Sequence, residues 1–531
     1  MAYNYLLPQL IADAARRSPD APALSCGRET LSYAALQARV EAAASGLLCL
    51  GLARGERVAV WLDKRIETVV GVFGAAAAGG VFVPVNPLLK PEQVAYILAD
   101  CNVRVLVTSP ERLALLHASL AACPDLRAVV LTGDVPPADL PAPLAGVSWA
   151  QLLAQPARPP HRVVDTDMVA ILYTSGSTGR PKGVVLSHRN MVAGAMSVAT
   201  YLENGPQDTL LAVLPLSFDA GFSQLTTAFH AGARVVLLNY LLPRDVLKAV
   251  VKERVTGLTA VPPLWIQLAQ LDWPASVGEH LRYFANTGGR MPFETLKALR
   301  AHLPTARPYL MYGLTEAFRS TYLPPAEADR RPDSIGKAIP NAEILVLRDD
   351  GTPCAPDEPG ELVHRGALVA MGYWNDPEKT AERFRPLPGR EGGLVLPELA
   401  VFSGDTVRRD GEGFLYFIGR RDEMIKTSGY RVSPTELEEV IYGCEAVGEC
   451  AAFGVDHDTL GQAIVVIAAA KPGQALSVEA VLAQCRAHLP IYMLPARVEL
   501  RPGPLPRNPN GKIDRKRLAE ECRQAAQEQT S

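Results

Sequence analysis

Cysteine occurs only as nine isolated residues, Cys26, Cys49, Cys101, Cys123, Cys354, Cys444, Cys450, Cys485 and Cys522, with no CxxC pair and no Cys/His spacing suited to a metal. The odd count and missing framework argue against a disulfide-built secreted fold and favour a reducing compartment. An excess of one charge is also lacking. Lys and Arg number 53 against 56 Asp and Glu, a formal net charge of -3, so nothing marks the chain for a nucleic-acid backbone. The opening residues, MAYNYLLPQLIADAARR, show no basic segment followed by an apolar stretch; no secretory signal is expected, and a cytoplasmic location follows by default. The one long uncharged run, VVGVFGAAAAGGVFVPV at 69–85, is rich in Ala and Gly and closes on Val-Pro-Val. It reads as a buried helix entering a buried strand, not as an integral membrane segment. Internal repeats, heptads and low-complexity tracts are missing as well.

With 531 residues, two or more domains are expected. The runs RVAVWL, VRVLVTS, RAVVLTG, MVAILYTS, TLLAVLPL, ARVVLLN and GLTAVPP each read as a buried strand, separated by helical or loop segments. That alternation predicts an α/β fold of parallel sheets covered by helices. QPARPPHRVVD at 155–165 reads as a connector. Past Asp333, AEILVLRDDG, GELVHRG and GFLYFIGRRD are short strands with Gly/Asp turns, which predict an antiparallel or β-barrel-like subdomain. From Met424 onward, helix-like TELEEVIYG, strand-like QAIVVIAAA, helix-like SVEAVLAQCRAHL and a Pro-rich, basic tail predict a small α+β C-terminal domain.

The densest cluster of chemistry is YTSGSTGRPKG at 173–183, placed directly after the strand MVAILY. Successive backbone N–H groups, hydroxyls and Lys182 suit an oligophosphate, and glycine allows close backbone approach. A flexible turn would have a similar composition. The stretch is not the Walker pattern G-x-x-x-x-G-K-[ST], because Pro181 precedes the lysine and Gly183 follows it.

YTSGSTGRPKGVVLSH closely resembles the phosphate-binding signature of the AMP-forming adenylating superfamily, which comprises acyl-CoA ligases, peptide-synthetase adenylation domains and luciferases. In the family's order there follow LPLSFDAG, NTGGRM, YGLTEAF, GELVHRG, FSGDTVRRD, GRRDEMIKTSGYRVSPTELE and PRNPNGKIDR. The resemblance covers nearly the whole chain. In wording, PVNPLLKPEQVAYIL, LSFDAGFSQLTTAFHAGA and MYGLTEAFRSTYLPP are most similar to bacterial acyl-CoA ligases associated with exosortase A systems.

The resemblance implies two half-reactions at one site. A carboxylate attacks the α-phosphorus of ATP, giving an acyl-adenylate and pyrophosphate, and a thiol then displaces AMP. Thr174, Ser175, Gly176, Ser177, Thr178, Gly179 and Lys182 would hold the β- and γ-phosphates. Gly288, Gly289 and Arg290 belong to the nucleotide site, Tyr312 would stack on adenine, Thr315 would contact the phosphate, and Glu316 would help hold Mg²⁺. Asp405 would accept the ribose hydroxyls, with Arg420 assisting. Lys512 would meet the carboxylate and α-phosphate during adenylation. Asp422 occupies the hinge position, and Lys426 and Gly429 lie on the loop that enters for thioester formation, where Gly429 leaves room for a pantetheine arm.

In the acyl pocket, Phe218 is the expected gate beside the carboxylate, and Asp219 stands where amino-acid-activating members carry an aspartate for the substrate ammonium. Ala260, Trp265, Ala285, Thr287, Met311, Arg319 and Ser320 are the other candidates by register. Arg319 is unusual for an apolar pocket because an unpaired buried guanidinium is costly. It pairs with Asp219, meets a polar substrate or points to solvent; the residues alone leave all three open.

The expectation is therefore an N-terminal adenylate-forming domain over 1–420, a hinge at 421–422 and a mobile C-terminal lid over 423–531. The leading activity is ATP- and Mg²⁺-dependent ligation of a carboxylic acid to CoA. The alternative is a stand-alone amino-acid-activating enzyme that loads the phosphopantetheine of an acyl or peptidyl carrier protein. A catalytically silent relative would be expected to lose Lys512, Lys426, Glu316 or Asp405, and all four are present.

Overall fold

A computed structural model of the chain describes residues 5–135, 140–174, 181–387, 397–421, 423–427, 430–457, 461–489, 491–508 and 511–528. Two large sheets carry the N-terminal part and a five-stranded sheet the C-terminal part. In the 8-stranded sheet, Val81–Pro84, Arg57–Trp61, Val103–Thr108, Ala128–Leu131 and Ala145–Ser148 run parallel, and Met168–Thr174 joins beside Val81–Pro84. Lys182–Ser187 then folds back antiparallel on Met168–Thr174, with Thr174 opposite Lys182. The two ends of the Gly/Ser/Thr stretch are thus pinned together by a strand pair.

The 14-stranded sheet has a parallel half, in which Arg234–Leu237, Thr209–Ala212, Gly257–Ala260, Tyr283–Asn286 and Arg307–Tyr312 are neighbours. Its other half, from Thr321–Leu323 through Ala342–Leu347, is antiparallel. The antiparallel texture expected past Asp333 is this half, and it forms an open continuation of the sheet with no closed barrel among the described residues.

Helices seal the sheets together. Ile66–Ala78 is apolar on nearly every face because it lies between layers, and it passes at Gly79 into Val81–Pro84, as the uncharged run suggested. Phe73 from this helix stacks on Phe222 of helix Asp219–Ala231 with ring centroids 6.0 Å apart, and Phe82 of the strand stacks on the same Phe222 at 4.9 Å. Stacks of this kind add about 0.5–1.5 kcal/mol each beyond burial. Helix Asp219–Ala231 can begin where it does because residue 221 is glycine. A Cβ there would stand 1.9 Å from the carbonyl oxygen of Pro215, far inside contact distance.

The C-terminal part has cores of its own on both faces of its sheet. Ile425, Leu437, Ile441, Val466, Val481 and Cys485 form one, and Phe453, Val465, Ile467, Leu518 and Cys522 the other. The second core is closed by helix Arg515–Glu528, which lies in the segment read from sequence only as a basic tail. All nine cysteines are free. Among the described residues no helix is long and apolar enough to cross a membrane.

Candidate active site

The strands Gly257–Ala260, Tyr283–Asn286 and Arg307–Tyr312 end on a cleft of about 1520 Å³, the usual place for a ligand in an open parallel sheet. Its walls come from the large sheets and from C-terminal residues such as Glu439, Lys512 and Arg515. One cleft therefore gathers residues more than three hundred positions apart in sequence.

On the wall that carries Tyr312, its phenol donates to Asp405 Oδ2. Asp405 Oδ1 is buried and makes no hydrogen bond; Arg420 Nε lies 3.3 Å away but off the bonding direction, so it balances charge without occupying the oxygen. Asp405 and Arg420 are register partners on adjacent antiparallel strands, which fixes this approach. Burial raises the Asp405 carboxyl above its ordinary value, and the Arg420 guanidinium opposes that rise. The result is an acceptor aimed at a donor the protein does not supply.

Thr315 and Glu316 sit on the tight turn Thr315–Ala317, where Tyr373 donates to Glu316 Oε1 at 2.6 Å. The Lys182 ammonium stands 5.2 Å from the centre of the Tyr373 ring, so one tyrosine links the cation and the carboxylate. Burial, followed by Lys379 and Arg383, lowers the Lys182 pKa. Among the described residues no group of three His, Cys, Asp or Glu side chains could hold a metal ion. A divalent ion at Glu316 would need ligand oxygens from a bound nucleotide, which suits Mg²⁺.

Lys512 enters from the C-terminal part. Its Cε is 3.8 Å from the place a Cβ would take at Gly288, and Phe218 Cε1 is 4.0 Å from the same place, so the lysine arm, the Gly288 turn and Phe218 converge. Asn286 Nδ2 holds that turn through the Gly289 carbonyl at 2.8 Å. The Lys512 side chain keeps a path to solvent along the cleft, yet its low-dielectric surroundings and Arg420 lower its pKa, while Asp219 and Asp405 act the other way. Glu439 fastens the C-terminal part across the cleft, accepting from Phe293 N–H at 3.0 Å and facing Arg290 Nε at 3.5 Å. Arg290 thus spends its charge on this contact.

Among the acyl-pocket candidates, Phe218, Asp219, Thr287, Met311 and Arg319 line the cleft. Ala260, Trp265, Ala285 and Ser320 lie behind the lining. The Trp265 indole is fully buried and donates to the Ala285 carbonyl at 3.2 Å, and Ser320 is engaged with His364 Nδ1 at 2.9 Å. Arg319 is buried and reaches Asp219 Oδ2 through Nη1 at 3.4 Å. Of the three fates open to Arg319 in sequence, solvent is excluded and a long ion pair with Asp219 is present. Burial still raises the Asp219 carboxyl, with Arg319 opposing.

Ser175, Gly176, Ser177, Thr178, Gly179, Asp422 and Gly429 lie outside the described residues, as does the side chain of Lys426. Sequence reasoning missed Tyr373, Asn286 and Glu439, which line the same cleft. Tyr373 sits on a two-residue strand that pairs with Val184, a contact between segments almost two hundred residues apart that leaves no local signal.

The fold, a large α/β part with a cleft at its strand ends and a smaller C-terminal part against it, is that of a class of nucleotide-using enzymes. The chain belongs to the AMP-binding enzyme family: residues 11–374 match the AMP-binding enzyme, and residues 436–512 the AMP-binding enzyme C-terminal domain. It is an AMP-forming acid–thiol ligase. It is 33% identical to L-proline–(L-prolyl-carrier protein) ligase of Streptomyces coelicolor, over 93% of this chain and 92% of that protein. It is 31% identical to the long-chain-fatty-acid–CoA ligase of Salmonella typhimurium, over 97% and 94%. It also matches tyrocidine synthase 3 of Brevibacillus parabrevis at 29% identity, over 97% of this chain but only 8% of that protein's length. Among solved structures, ATP-bound MatB from Rhodopseudomonas palustris superposes with a TM-score of 0.86 at 26% identity, covering 98% of this chain and 99% of that one. The anthranilate CoA ligase AuaEII shares the fold at a TM-score of 0.87 and 24% identity, over 99% of each chain.

Proposed function

We propose that the protein joins a carboxylic acid to CoA through an acyl-adenylate. The observation that carries this reading is the convergence of Lys512, Phe218 and the Gly288 turn, with Asp405 holding an unengaged oxygen in the same cleft. Asp405 Oδ1 takes a ribose hydroxyl, Tyr312 lines the adenine side, and Lys182 with the stretch at 174–179 receives the phosphates. The carboxylate, held beside Phe218 by Lys512, attacks the α-phosphorus as the bond to pyrophosphate breaks. The lysine cation offsets the charge that builds there. Mg²⁺, which Glu316 would help hold, would supply charge neutralisation on the phosphates. In the second step the CoA thiolate attacks the acyl carbon and AMP leaves, with Lys426 and Gly429 brought in by rotation about Asp422.

A second reading, activation of an amino acid for a carrier protein, is favoured by the presence of Asp219 and by the prolyl-carrier relative. The ion pair between Asp219 and Arg319 weighs against it, because a substrate ammonium would have to stand beside a guanidinium. ATP–pyrophosphate exchange across fatty, aromatic and amino acids separates the two. Exchange with carboxylic acids that lack an α-amine is expected; exchange with amino acids alone would transfer the assignment to the carrier-protein class.

A further inference from the structure

Beside the acyl pocket lies a second, small cavity of about 20 Å³, and Ala220, Met311 and Arg319 line both spaces. That is room for one water-sized group. The cavity is polar for its depth. Gln224, 6% exposed, spends both amide N–H bonds on the carbonyls of Leu211 and Thr259, at 3.0 and 3.4 Å. Those two acceptors fix the amide orientation, so the atom left without a partner is the acceptor Oε1. Arg319, 3% exposed, gives Nη1 to Asp219 and leaves Nε, a donor, without a partner. Leaving a buried polar atom unpaired is costly, and both residues line the cavity, so its lining carries one unmet acceptor and one unmet donor.

The guanidinium is placed there at a further cost. Phe318, immediately before it, has φ +54°, a left-handed conformation that a bulky L-residue rarely adopts. Its ring fits only because residue 194 is glycine, where a Cβ would come within 2.3 Å of Phe318 Cδ1. A strained turn therefore aims Arg319 inward.

The group that completes such a cavity must accept one hydrogen bond and donate another in the space of a water molecule. A carboxylate only accepts, and it would meet Asp219. An ammonium only donates, and it would meet Arg319. A methyl group satisfies neither atom. A hydroxyl does both, donating to Gln224 Oε1 and accepting from Arg319 Nε. Resting on the reading of the protein as an acid-activating ligase, we propose that its acid carries a hydroxyl at the end remote from the carboxylate, seated in this cavity. Met311 lines both pocket and cavity. It is an unbranched thioether held by the Tyr201 hydroxyl at 3.0 Å, and it turns aside more readily than a branched side chain would.

The test uses the full-length enzyme and matched acids: short- to medium-chain ω-hydroxyalkanoates against the corresponding alkanoates, and para-hydroxyphenyl acids against phenyl acids. The readout is kcat/KM in acid-dependent ATP–pyrophosphate exchange. A site built around a hydroxyl rejects the analogue that lacks it, so at least one pair favours the hydroxy acid by roughly 100-fold or more. In that pair, Gln224→Met, which removes the acceptor, and Thr227→Leu, which fills the cavity that Thr227 also lines, each bring the ratio below roughly tenfold. Every wild-type pair below roughly tenfold, with exchange otherwise robust, overturns the proposal and leaves the cavity to a buried water. Retention of the full ratio in either folded variant overturns it too. The wild-type ratios decide even where a variant fails to fold. Absence of exchange with every acid defeats the ligase reading itself, a different result from exchange without preference.

Discussion

Asp405 shows how one atom can define a site. Its Oδ1 is buried and unbonded while Oδ2 takes the Tyr312 phenol, so removing charge without changing shape isolates the first oxygen. Asp405→Asn is expected to raise the KM for ATP by roughly 10–100-fold, the worth of a charged hydrogen bond, with a smaller effect on kcat. Steady-state exchange kinetics read the split. Two histidines make the matching point for stability. His188, whose Nδ1 accepts from the Leu7 N–H, and His364, bonded to Ser320, are buried, and burial lowers their pKa values to about 4 and about 3. Their unfolded values lie near ~6.5, so unfolding takes up protons below that pH. The stability they contribute is complete above pH ~6.5 and is lost as pH falls toward their folded values, about 2 kcal/mol per histidine by pH ~5. Thermal unfolding midpoints at pH ~7 and ~5 should therefore differ, and the difference should shrink in a His188→Gln variant. Asp405 and Lys512 were singled out in sequence through the family resemblance of the motifs that carry them. Tyr373 and Gln224 were not, since their roles arise from partners brought in by sheet pairing and helix packing.

At the scale of elements, the turn Thr315–Ala317 and the residues after it carry Glu316 and Arg319 on one strained piece of backbone. Its stability depends on Gly194 in helix His188–Tyr201, a residue that no motif in the sequence singles out. Gly194→Ala forces Phe318 to move, at an expected cost of about 1–3 kcal/mol, and should lower both the thermal midpoint and kcat/KM for exchange. Unchanged exchange with a lowered midpoint would separate packing from site geometry. The seven buried runs read as strands all became strands, because short β-branched segments between turn signals have few alternatives. Their order in the sheets was not legible, since pairing depends on registers set between distant segments. Helix Arg515–Glu528 was hidden for a related reason: a mostly charged surface with Leu518, Ala519 and Cys522 as its buried face gives a weak apolar signal.

For the whole molecule, the proposed mechanism turns on Lys512, which enters the cleft from the C-terminal part. In the arrangement seen, Glu439 fastens the C-terminal part at Phe293 and Arg290 while Lys512 points at the Gly288 turn. In the proposed mechanism that arrangement is the one for adenylation. Lys512→Ala is expected to reduce acid-dependent exchange by roughly 100–1000-fold. CoA thioester formation from a supplied acyl-adenylate should fall far less, because the second step uses another orientation; equal losses would argue against two orientations. The broad assignment was legible in sequence because a long ordered set of motifs spans the chain, whereas the acid was not, because the pocket is assembled from single residues on separate strands and helices. The most direct test of the account is to incubate the enzyme with ATP, Mg²⁺, CoA and the acid panel, and to quantify nucleotides and thioesters in the same quenched samples. AMP and an acyl-CoA are expected in equal amounts for at least one acid without an α-amine. ADP and phosphate as products, or AMP release with no acyl-CoA from any acid, would contradict it.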